Sequence, residues 1–299
     1  MDFIRIALLV VPMFIGLGVM IAVLSWTRRA RLAGRKSPLT QGLLRPAGYS
    51  LRVQFDDVFS DVMGWLMMAL FLPVVVGALY SGVLLAPGRG FSWTSAAIYF
   101  TFAVSVIGVS AYRAVKSLRK AMNLRMGWDA EMATGQELDQ LMRSGAAVFH
   151  DLPAKEFNID HVLICPSGVY AVETKSRLKA IAGGKEGAKV MCEGTTLSFP
   201  DWKDSSTVEQ AQRQAKWLSS ELTKAVGEPV RVLGVVALPG WFVVQNGRYE
   251  VKVLNPKNFR YLLDARDTPL SPVLMTRVAY QVEQWCRDVA PAYSATTSK

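Results

Sequence analysis

The sequence predicts a mixed α/β domain preceded by three transmembrane helices. Two observations lead to this prediction. Residues 1–126 contain three long stretches without a charged residue, in a chain that is 51% hydrophobic. After Gly127, short strand-like runs alternate with amphipathic helical patterns, an order that is typical of mixed α/β folds.

The three uncharged stretches cover residues 6–26, 62–85 and 93–112. Each is close to the ~20 residues that a helix needs to cross the hydrocarbon core of a bilayer. The first has no strongly basic segment before it and no small-x-small cleavage site after it, which favours an uncleaved anchor over a signal peptide. We therefore expect a membrane anchor at 1–120, an α/β domain at 121–290 and a disordered tail at 291–299.

The net charge of +10 lies entirely in the N-terminal part. Residues 1–126 contain 14 Lys and Arg against four Asp and Glu, whereas residues 127–299 contain 20 of each. A basic protein often binds nucleic acid, but here the excess flanks the spans. Basic residues are concentrated between the first two spans and after the third, and the link between the second and third holds only Arg89. The positive-inside rule then predicts a multi-pass protein of the inner cell membrane, with its N-terminus outside and its C-terminal domain in the cytoplasm.

The elements of the C-terminal half follow from apolar spacing and from turn residues. A helix is expected at 127–145, where Gly145 ends the helical pattern. A strongly amphipathic helix is expected at 207–226, with Gly227 and Pro229 after it, and a further helix at 271–289. Strands are expected at 146–152, 158–175 (a hairpin), 187–199 (two strands), 231–240, 241–244 and 248–254.

The hairpin, NIDHVLICPSGVYAVETK at 158–175, carries charged residues at the ends of otherwise apolar strands. Because side chains alternate between the two faces of a strand, Glu173 and Lys175 point to the same side. If Pro166-Ser167 is a two-residue turn, Asp160 lies directly opposite Glu173, with the Cβ atoms about 4.5–5.5 Å apart. A three-residue turn would place Asp160 on the other face.

Two carboxylates at this distance repel each other unless a cation lies between them. Mg²⁺ is commonly held by one or two carboxylates with water in its other positions, and a nearby lysine can orient the attacking water or offset charge on a phosphate. The alternative is a solvated strand face, with a weak Glu–Lys pair and Asp160 as a turn residue. The chain has three cysteines without a C-x-x-C motif and two histidines, which argues against a disulfide framework or a structural zinc site. His161 directly follows Asp160, so its side chain points to the opposite face of the strand.

Four segments resemble the nuclease-related domain (NERD) family of the PD-(D/E)xK nuclease-like superfamily: GWDAE, VFHDL, the hairpin and EQAQRQAKWL. The resemblance runs from about Gly127 to at least Leu238. It implies a restriction-endonuclease-like mixed sheet flanked by helices. It also implies an Mg²⁺- or Mn²⁺-dependent (endo)nuclease that hydrolyses phosphodiester bonds of DNA, with RNA as the alternative substrate.

The resemblance implies a metal site in the hairpin. Asp160 takes the place of the Asp in the first family motif, with Ile159 where the family has Pro. Glu173 and Lys175 take the places of the (D/E)xK pair. Asp160, Glu173 and the backbone carbonyl of Thr174 are then the metal ligands, and Lys175 acts on the water.

Two helices contribute the remaining residues that the resemblance implies. Glu131 corresponds to the helix-borne acid of the family, and Gln210 to a glutamine that opens a helix, although Ser206-Thr207 stand where the family often has Asn-Pro. Gln214 lies one turn after Gln210, on the same helix face. Basic residues after the hairpin are either DNA contacts or a solvated loop: Arg177, Lys179, Lys185 and Lys189.

Three functions compete on this sequence. The first is a membrane-anchored, metal-dependent nuclease that acts on the cytoplasmic face. Each acidic and lysine position of its motifs holds the required residue type, but the domain has no net charge, whereas nucleic-acid-binding proteins are usually basic. The second is a catalytically inactive nuclease-fold module that binds or scaffolds at the bilayer. The third is a membrane sensor or transport accessory, which is disfavoured because the spans lack the ionisable residues that transport pathways usually contain.

Overall fold

The structure is a computed structural model that describes residues 15–16, 18–27, 30, 38–39, 41–84, 91–179, 184, 186–245, 249–264 and 269–291. The chain divides into two compact units. Residues Gln54–Asn123 belong to the first unit, whereas Leu39–Val53 and Leu124–Ala292 belong to the second. The second unit is the α/β domain.

The first unit contains two helices that are long and apolar enough to cross a membrane. The first, Tyr49–Ser81, lies within α2 (Tyr49–Leu84), and the second, Trp93–Ser144, takes in α3 (Trp93–Asp139) and the 3₁₀ turn after it. Large apolar side chains on both helices are exposed, among them Met67, Ile98 and Phe100, as expected for a surface that contacts lipid. The predicted first span, 6–26, lies largely outside the described residues, which show there only a shorter apolar helix, α1 (Gly18–Thr27).

Both long helices extend beyond the predicted spans. Helix α2 starts at Tyr49 and not near residue 62. Helix α3 joins the third span to the first helix of the α/β domain, although the two were expected to be separate elements. The reason is visible in the sequence: residues 113–126 contain neither Gly nor Pro, so nothing interrupts the helix.

Strands and helices of the α/β unit lie close to the predicted ranges. The strands are β1 (Ala147–Pro153), β2 (Asn158–Cys165), β3 (Gly168–Thr174), β4 (Lys189–Glu193), β5 (Thr196–Ser198), β6 (Lys203–Asp204), β7 (Val232–Ala237), β8 (Phe242–Gln245) and β9 (Val251–Leu254). The helices after α3 are α4 (Ser206–Val226), α5 (Arg260–Asp264) and α6 (Pro272–Cys286), and short 3₁₀ helices cover Gln140–Ser144, Glu186–Ala188 and Pro256–Asn258.

Within the described residues, the strands form two mixed sheets where a single sheet was expected. The larger sheet has the order β1-β2-β3-β7-β9, and the smaller has the order β6-β5-β4-β8. In the larger sheet, β1, β2 and β3 are antiparallel neighbours, whereas β3, β7 and β9 run parallel. The short strand β6, which was not predicted, completes the smaller sheet next to the start of α4.

Both faces of the larger sheet are covered by helices. On one face, Val162 packs with Leu218 of α4 and Val278 of α6. On the other, Leu163 packs with Leu138 at the end of α3 and with Leu262 of α5. Strands β3 and β7 are consequently buried along their whole length, as is typical of central parallel strands. A charged residue on β3 therefore requires specific partners.

The segment Leu39–Val53 belongs to the α/β unit, whereas all of 1–120 was expected to belong to the anchor. Leu43 forms an antiparallel bridge with Val289, and Arg45 N donates a hydrogen bond to Cys286 O at 3.0 Å. The first turn of α2 thus lies on the domain. The predicted tail, apart from residue 291, lies outside the described residues.

Candidate functional site

The hairpin has the predicted register. Cys165 pairs with Gly168, and His161 pairs with Val172, so Pro166-Ser167 forms a two-residue turn. The same register brings Asp160 opposite Glu173 at the open end of the hairpin. Asp160 Oδ2 accepts a hydrogen bond from Thr174 N at 2.7 Å, which fixes the carboxylate of Asp160 at the end of β3.

Glu173 is a carboxylate on a fully buried strand, and only 3% of it is exposed. Lys175 Nζ donates to its Oε1 at 2.5 Å, and Gln214 Nε2 donates to its Oε2 at 2.6 Å. Each carboxylate oxygen therefore has a donor. Such partners are needed because a buried charge without them costs several kcal/mol, roughly, in desolvation.

Lys175 is held between β3 and α4. Its ammonium group also donates to Gln210 Oε1 at 3.1 Å, and 24% of its side chain is exposed. Gln210 and Gln214 lie one turn apart on α4, so both amides reach the open end of the hairpin. Of the two, Gln214 is the one that is buried and bonded to Glu173.

Glu131 of α3 adds a third carboxylate to this cluster. Burial, followed by the charges of Asp151 and Glu173, raises the pKa of Glu131 to about 8. Burial and then the charges of Glu173 and Glu131 likewise hold the pKa of Asp160 well above its usual range, against the opposing effects of the Thr174 N–H and Lys175. One lysine does not balance three carboxylates, so an additional cation would stabilise their charged forms.

The oxygen atoms present fit a hard divalent cation. Among the described residues, no group of three His, Cys, Asp or Glu side chains is placed to hold a metal ion, but Mg²⁺ is commonly held by one or two carboxylates and several waters. Asp160, Glu173 and the Thr174 carbonyl meet that requirement. In the same part of the chain, Gln214 Oε1 is buried without a hydrogen-bond partner. Each oxygen of Glu173 accepts one hydrogen bond and keeps a second lone pair that can face a cation.

His150 and His161 form a separate buried pair. Their Nδ1 atoms lie 2.9 Å apart, and His150 Nε2 lies 3.1 Å from Asp139 Oδ1. Burial lowers the pKa of both imidazoles, which favours the neutral forms. Because Asp139 accepts from His150 Nε2–H, His150 Nδ1 accepts in turn from His161 Nδ1–H. His161 is thus bonded to a residue of β1.

The start of α4 is set by Asp204, which was missed in the sequence. Asp204 Oδ1 accepts from Thr207 N at 3.1 Å, and Oδ2 accepts from Thr207 Oγ1 at 2.6 Å and from Arg177 Nη2 at 3.0 Å. These bonds, with one from Ser206, lower the pKa of Asp204 although burial opposes the shift. Asp204 thus caps the first turn of α4, where this chain has Ser206-Thr207 in place of the Asn-Pro that is frequent in the family. By setting where the helix starts, it also fixes the position of Gln210. An acid just before a Ser/Thr helix start was the available signal.

The basic residues after the hairpin bond within the domain. Arg177 pairs with Asp204 and lies over the Trp202 ring, 5.3 Å from its centroid. Lys179 donates to Gly240 O and lies over the Trp241 ring. Lys189 begins β4, and Lys185 lies outside the described residues. Contact of these residues with DNA therefore stays a prediction.

The α/β part of the chain is similar to a known protein family. Residues 126–239 match the nuclease-related domain (NERD) family. The matched region contains the hairpin, Glu131 and α4, but not the segment 39–53 or β9 and the helices after it. Searches of curated proteins and of solved structures found no match to the chain.

Proposed function

Since residues 126–239 form a nuclease-related domain, we propose that the chain is a membrane-anchored nuclease that hydrolyses phosphodiester bonds of DNA with the help of Mg²⁺ or Mn²⁺. The observation that carries this proposal is the buried Glu173, with Asp160 opposite it and Lys175 bonded to it. A buried carboxylate on a central strand destabilises a fold, so its presence together with two further carboxylates is explained best by a chemical role.

Each residue has a task in this proposal. Asp160, Glu173 and the Thr174 carbonyl would hold the cation, which when bound acts as a Lewis acid on the phosphate and lowers the pKa of a bound water. Lys175 orients the attacking water and offsets charge on the phosphate, and Gln210 holds its ammonium group in place. Glu131, whose pKa is raised to about 8, can hold or release a proton near that pH.

The anchor supports a position at the inner cell membrane. Two described helices are long and apolar enough to cross it, and the basic residues between the first two predicted spans favour the cytoplasmic side. Since Leu39–Val53 belongs to the same unit as Leu124–Ala292, that loop and the domain lie on one side. The proposal therefore places the nuclease-related domain in the cytoplasm.

One observation favours a second candidate function, a nuclease-fold module that binds nucleic acid or a partner without cleaving. Lys175 and Gln214 already give each oxygen of Glu173 a hydrogen-bond donor, and within the described residues no three acidic, His or Cys side chains form a metal cluster. A cleavage assay separates the two functions directly.

The full chain in detergent, incubated with Mg²⁺ or Mn²⁺, is expected to cut plasmid, linear duplex or single-stranded DNA or RNA, and chelation with EDTA should stop the reaction. Glu173→Gln should reduce the rate by about 100-fold or more. The variant is expected to fold, because Gln214 Oε1 is free of partners among the described residues and the amide can turn to accept from the new Gln. Glu193→Gln, an exposed residue of β4, is the matched control.

Absence of cation-dependent cleavage on every substrate, by a chain that is folded, would leave the binding module as the function. Equal cleavage by wild type and Glu173→Gln would show that the activity is not that of this site.

A further inference from the structure

A hydrogen-bonded path connects the first turn of α2 with the candidate site. Ser50 Oγ donates to Asp151 Oδ2 at 2.7 Å and accepts from Asn158 Nδ2 at 2.7 Å. The backbone N–H of Ser50 also donates to Asp151 Oδ2, at 3.2 Å. Arg45 Nη1 donates to the same hydroxyl oxygen at 3.3 Å, so the one proton and both acceptor positions of the Ser50 hydroxyl are used.

The path continues from Asn158 to Glu173. Asn158 is the first residue of β2, and its carbonyl accepts from Gln214 Nε2 at 3.2 Å. The same Nε2 donates to Glu173 Oε2 at 2.6 Å, so both protons of the Gln214 amide have an acceptor. The position of Asn158 thus helps to set the position of Gln214 and, through it, that of the carboxylate.

The backbone conformation of Asp151 gives a second reason why the segment 39–53 must contact the domain near the start of β2. It is 2% exposed and has a φ of 51°, the one positive φ among the described residues other than glycine. An Asp tolerates this conformation but at some cost. Its carboxylate is bonded by Ser50 and by Arg45 Nη1, the latter at 2.9 Å. Residues of the segment 39–53 therefore hold β1 in this shape beside the start of β2.

We propose that Ser50 is a positioning residue of the nuclease site, and that the segment 39–53, which lies outside the matched family region, completes that site. The inference rests on the proposed nuclease function. Ser50 lies in the first turn of α2, within the part of that helix that belongs to the α/β unit, so the site is fully formed only when this first turn is bonded to β1 and β2. A domain cut to begin near residue 121 would lack this contact.

The test compares Ser50→Ala, Ser50→Thr and Ser60→Ala in the full chain in detergent. Ser60 lies on the same helix, is exposed and donates only to Asp57 O within its own turn. Loss of a residue that orients a metal ligand typically costs about 10–100-fold, so Ser50→Ala should lower kcat by about that factor and raise the Mn²⁺ concentration needed for half the maximal rate, with KM for DNA unchanged. Ser50→Thr, which keeps the hydroxyl, should restore kcat, and Ser60→Ala should match wild type.

Hydrogen exchange provides a readout that does not depend on cleavage. The Thr174 amide bonds to Asp160, and its exchange should become about 10-fold faster in Ser50→Ala but not in Ser60→Ala. Should Ser50→Ala fail to fold, Asn158→Ala carries the same expectation, because it removes the donor to Ser50 and leaves the bonds between Ser50 and Asp151. Unchanged kcat, no recovery with Thr, or unchanged Thr174 exchange would each overturn the inference. If wild type and Ser50→Ala cleave equally, the inference about Ser50 is wrong while the proposed function stands. If wild type does not cleave, the proposed function is wrong, and the exchange of the Thr174 amide alone shows whether Ser50 positions the end of β3.

Discussion

Two clusters in the α/β domain each place carboxyl groups, some of them buried, around a single basic side chain, and the charges of the two clusters are balanced differently. In the structural cluster, Arg45 bonds Asp288 through Nε and Nη2, both at 2.7 Å, and Asp151 through Nη1 at 2.9 Å. In the site cluster, Lys175 bonds one carboxylate, Glu173, while Asp160 and Glu131 lie close enough for their charges to affect each other. One cluster is stabilised by its pairing, and the other has more carboxyl groups than basic side chains to pair with them.

The pKa values of the carboxyl groups also differ between the two clusters. Hydrogen bonds from Arg45 lower the pKa of Asp288, and although burial raises the pKa of Asp151, its bonds to Ser50 and Arg45 act against the shift. In the site, the pKa values of Asp160 and Glu131 are both raised. An arrangement that destabilises charged groups is common at functional sites, where stability is given up for activity.

The largest expected effect is on catalysis by the site cluster. Lys175→Ala should reduce cleavage by about 10²–10⁴-fold, while cation binding is retained because Glu173 loses the competitor for its Oε1. Cleavage rates and Mn²⁺ binding, measured on the same preparation, check this expectation. Lys216→Ala, an exposed lysine of α4, should cleave like wild type. Loss of Mn²⁺ binding together with cleavage would mean that Lys175 shapes the metal site and does not act on the water.

Removing the cation of the structural cluster should affect stability. Arg45→Ala leaves Asp151 buried without its ion pair, and breaking such a pair costs about 3–5 kcal/mol. Thermal unfolding followed by tryptophan fluorescence measures the loss, with Arg231→Ala, an exposed arginine before β7, as the control. Equal melting temperatures for the two variants would show that Arg45 is an ordinary membrane-flanking residue.

Asp204, which caps the first turn of α4, should make the stability of the fold depend on pH, with an effect of intermediate size. Because the pKa of Asp204 is lower in the folded protein than its ordinary 3.8, its carboxylate stabilises the fold above about pH 4 and this contribution is lost as the pH falls below that value. Asp204→Asn should therefore lose about 1 kcal/mol at pH 7 and show a flatter decline in melting temperature between pH 4 and pH 2. Glu209→Gln, an exposed residue in the first turn of α4, should keep the wild-type slope. Identical slopes for Asp204→Asn and wild type would remove Asp204 from this role.

The smallest expected effect is an increase in stability. Asp160→Asn keeps an oxygen for the Thr174 N–H and removes one of the repelling charges. Without divalent cations, the melting temperature should rise by about 2–4 °C, which corresponds to ~1 kcal/mol, while cleavage is lost. Asp201→Asn, at an exposed bend, should change neither quantity. A lower melting temperature in Asp160→Asn would indicate that Asp160 stabilises the fold.

The pairing of the site hairpin was predictable because it is determined by residues that are close together in the sequence. The two-residue turn at Pro166-Ser167 and the alternation of side chains are enough to bring Asp160 opposite Glu173, and the pairing agrees. Glu131 and Gln210 were identified through the family resemblance, since no local pattern connects a residue of α3 or α4 with the hairpin. Most element ranges followed from apolar spacing for the same local reason.

The structural cluster could not be predicted, because its residues are far apart in the chain. Arg45 lies 106 residues from Asp151 and 243 from Asp288, and in the sequence it resembles the other arginines that flank a span. The contact between Leu43 and Val289 likewise has no local signature. By contrast, the continuity of α3 was visible in the unbroken run of helix formers at 113–126 and was overlooked.

The central claim is that surplus carboxylate charge at the hairpin exists to bind a divalent cation. Isothermal titration of the full chain in detergent with Mn²⁺, for wild type, Glu173→Gln and Glu193→Gln, tests it most directly. The account predicts binding at the hairpin in wild type and in Glu193→Gln, and at least a 10-fold weaker affinity in Glu173→Gln, roughly the loss expected when a group of the metal site is altered. Absence of Mn²⁺ binding in wild type, or equal affinity in all three proteins, would contradict it.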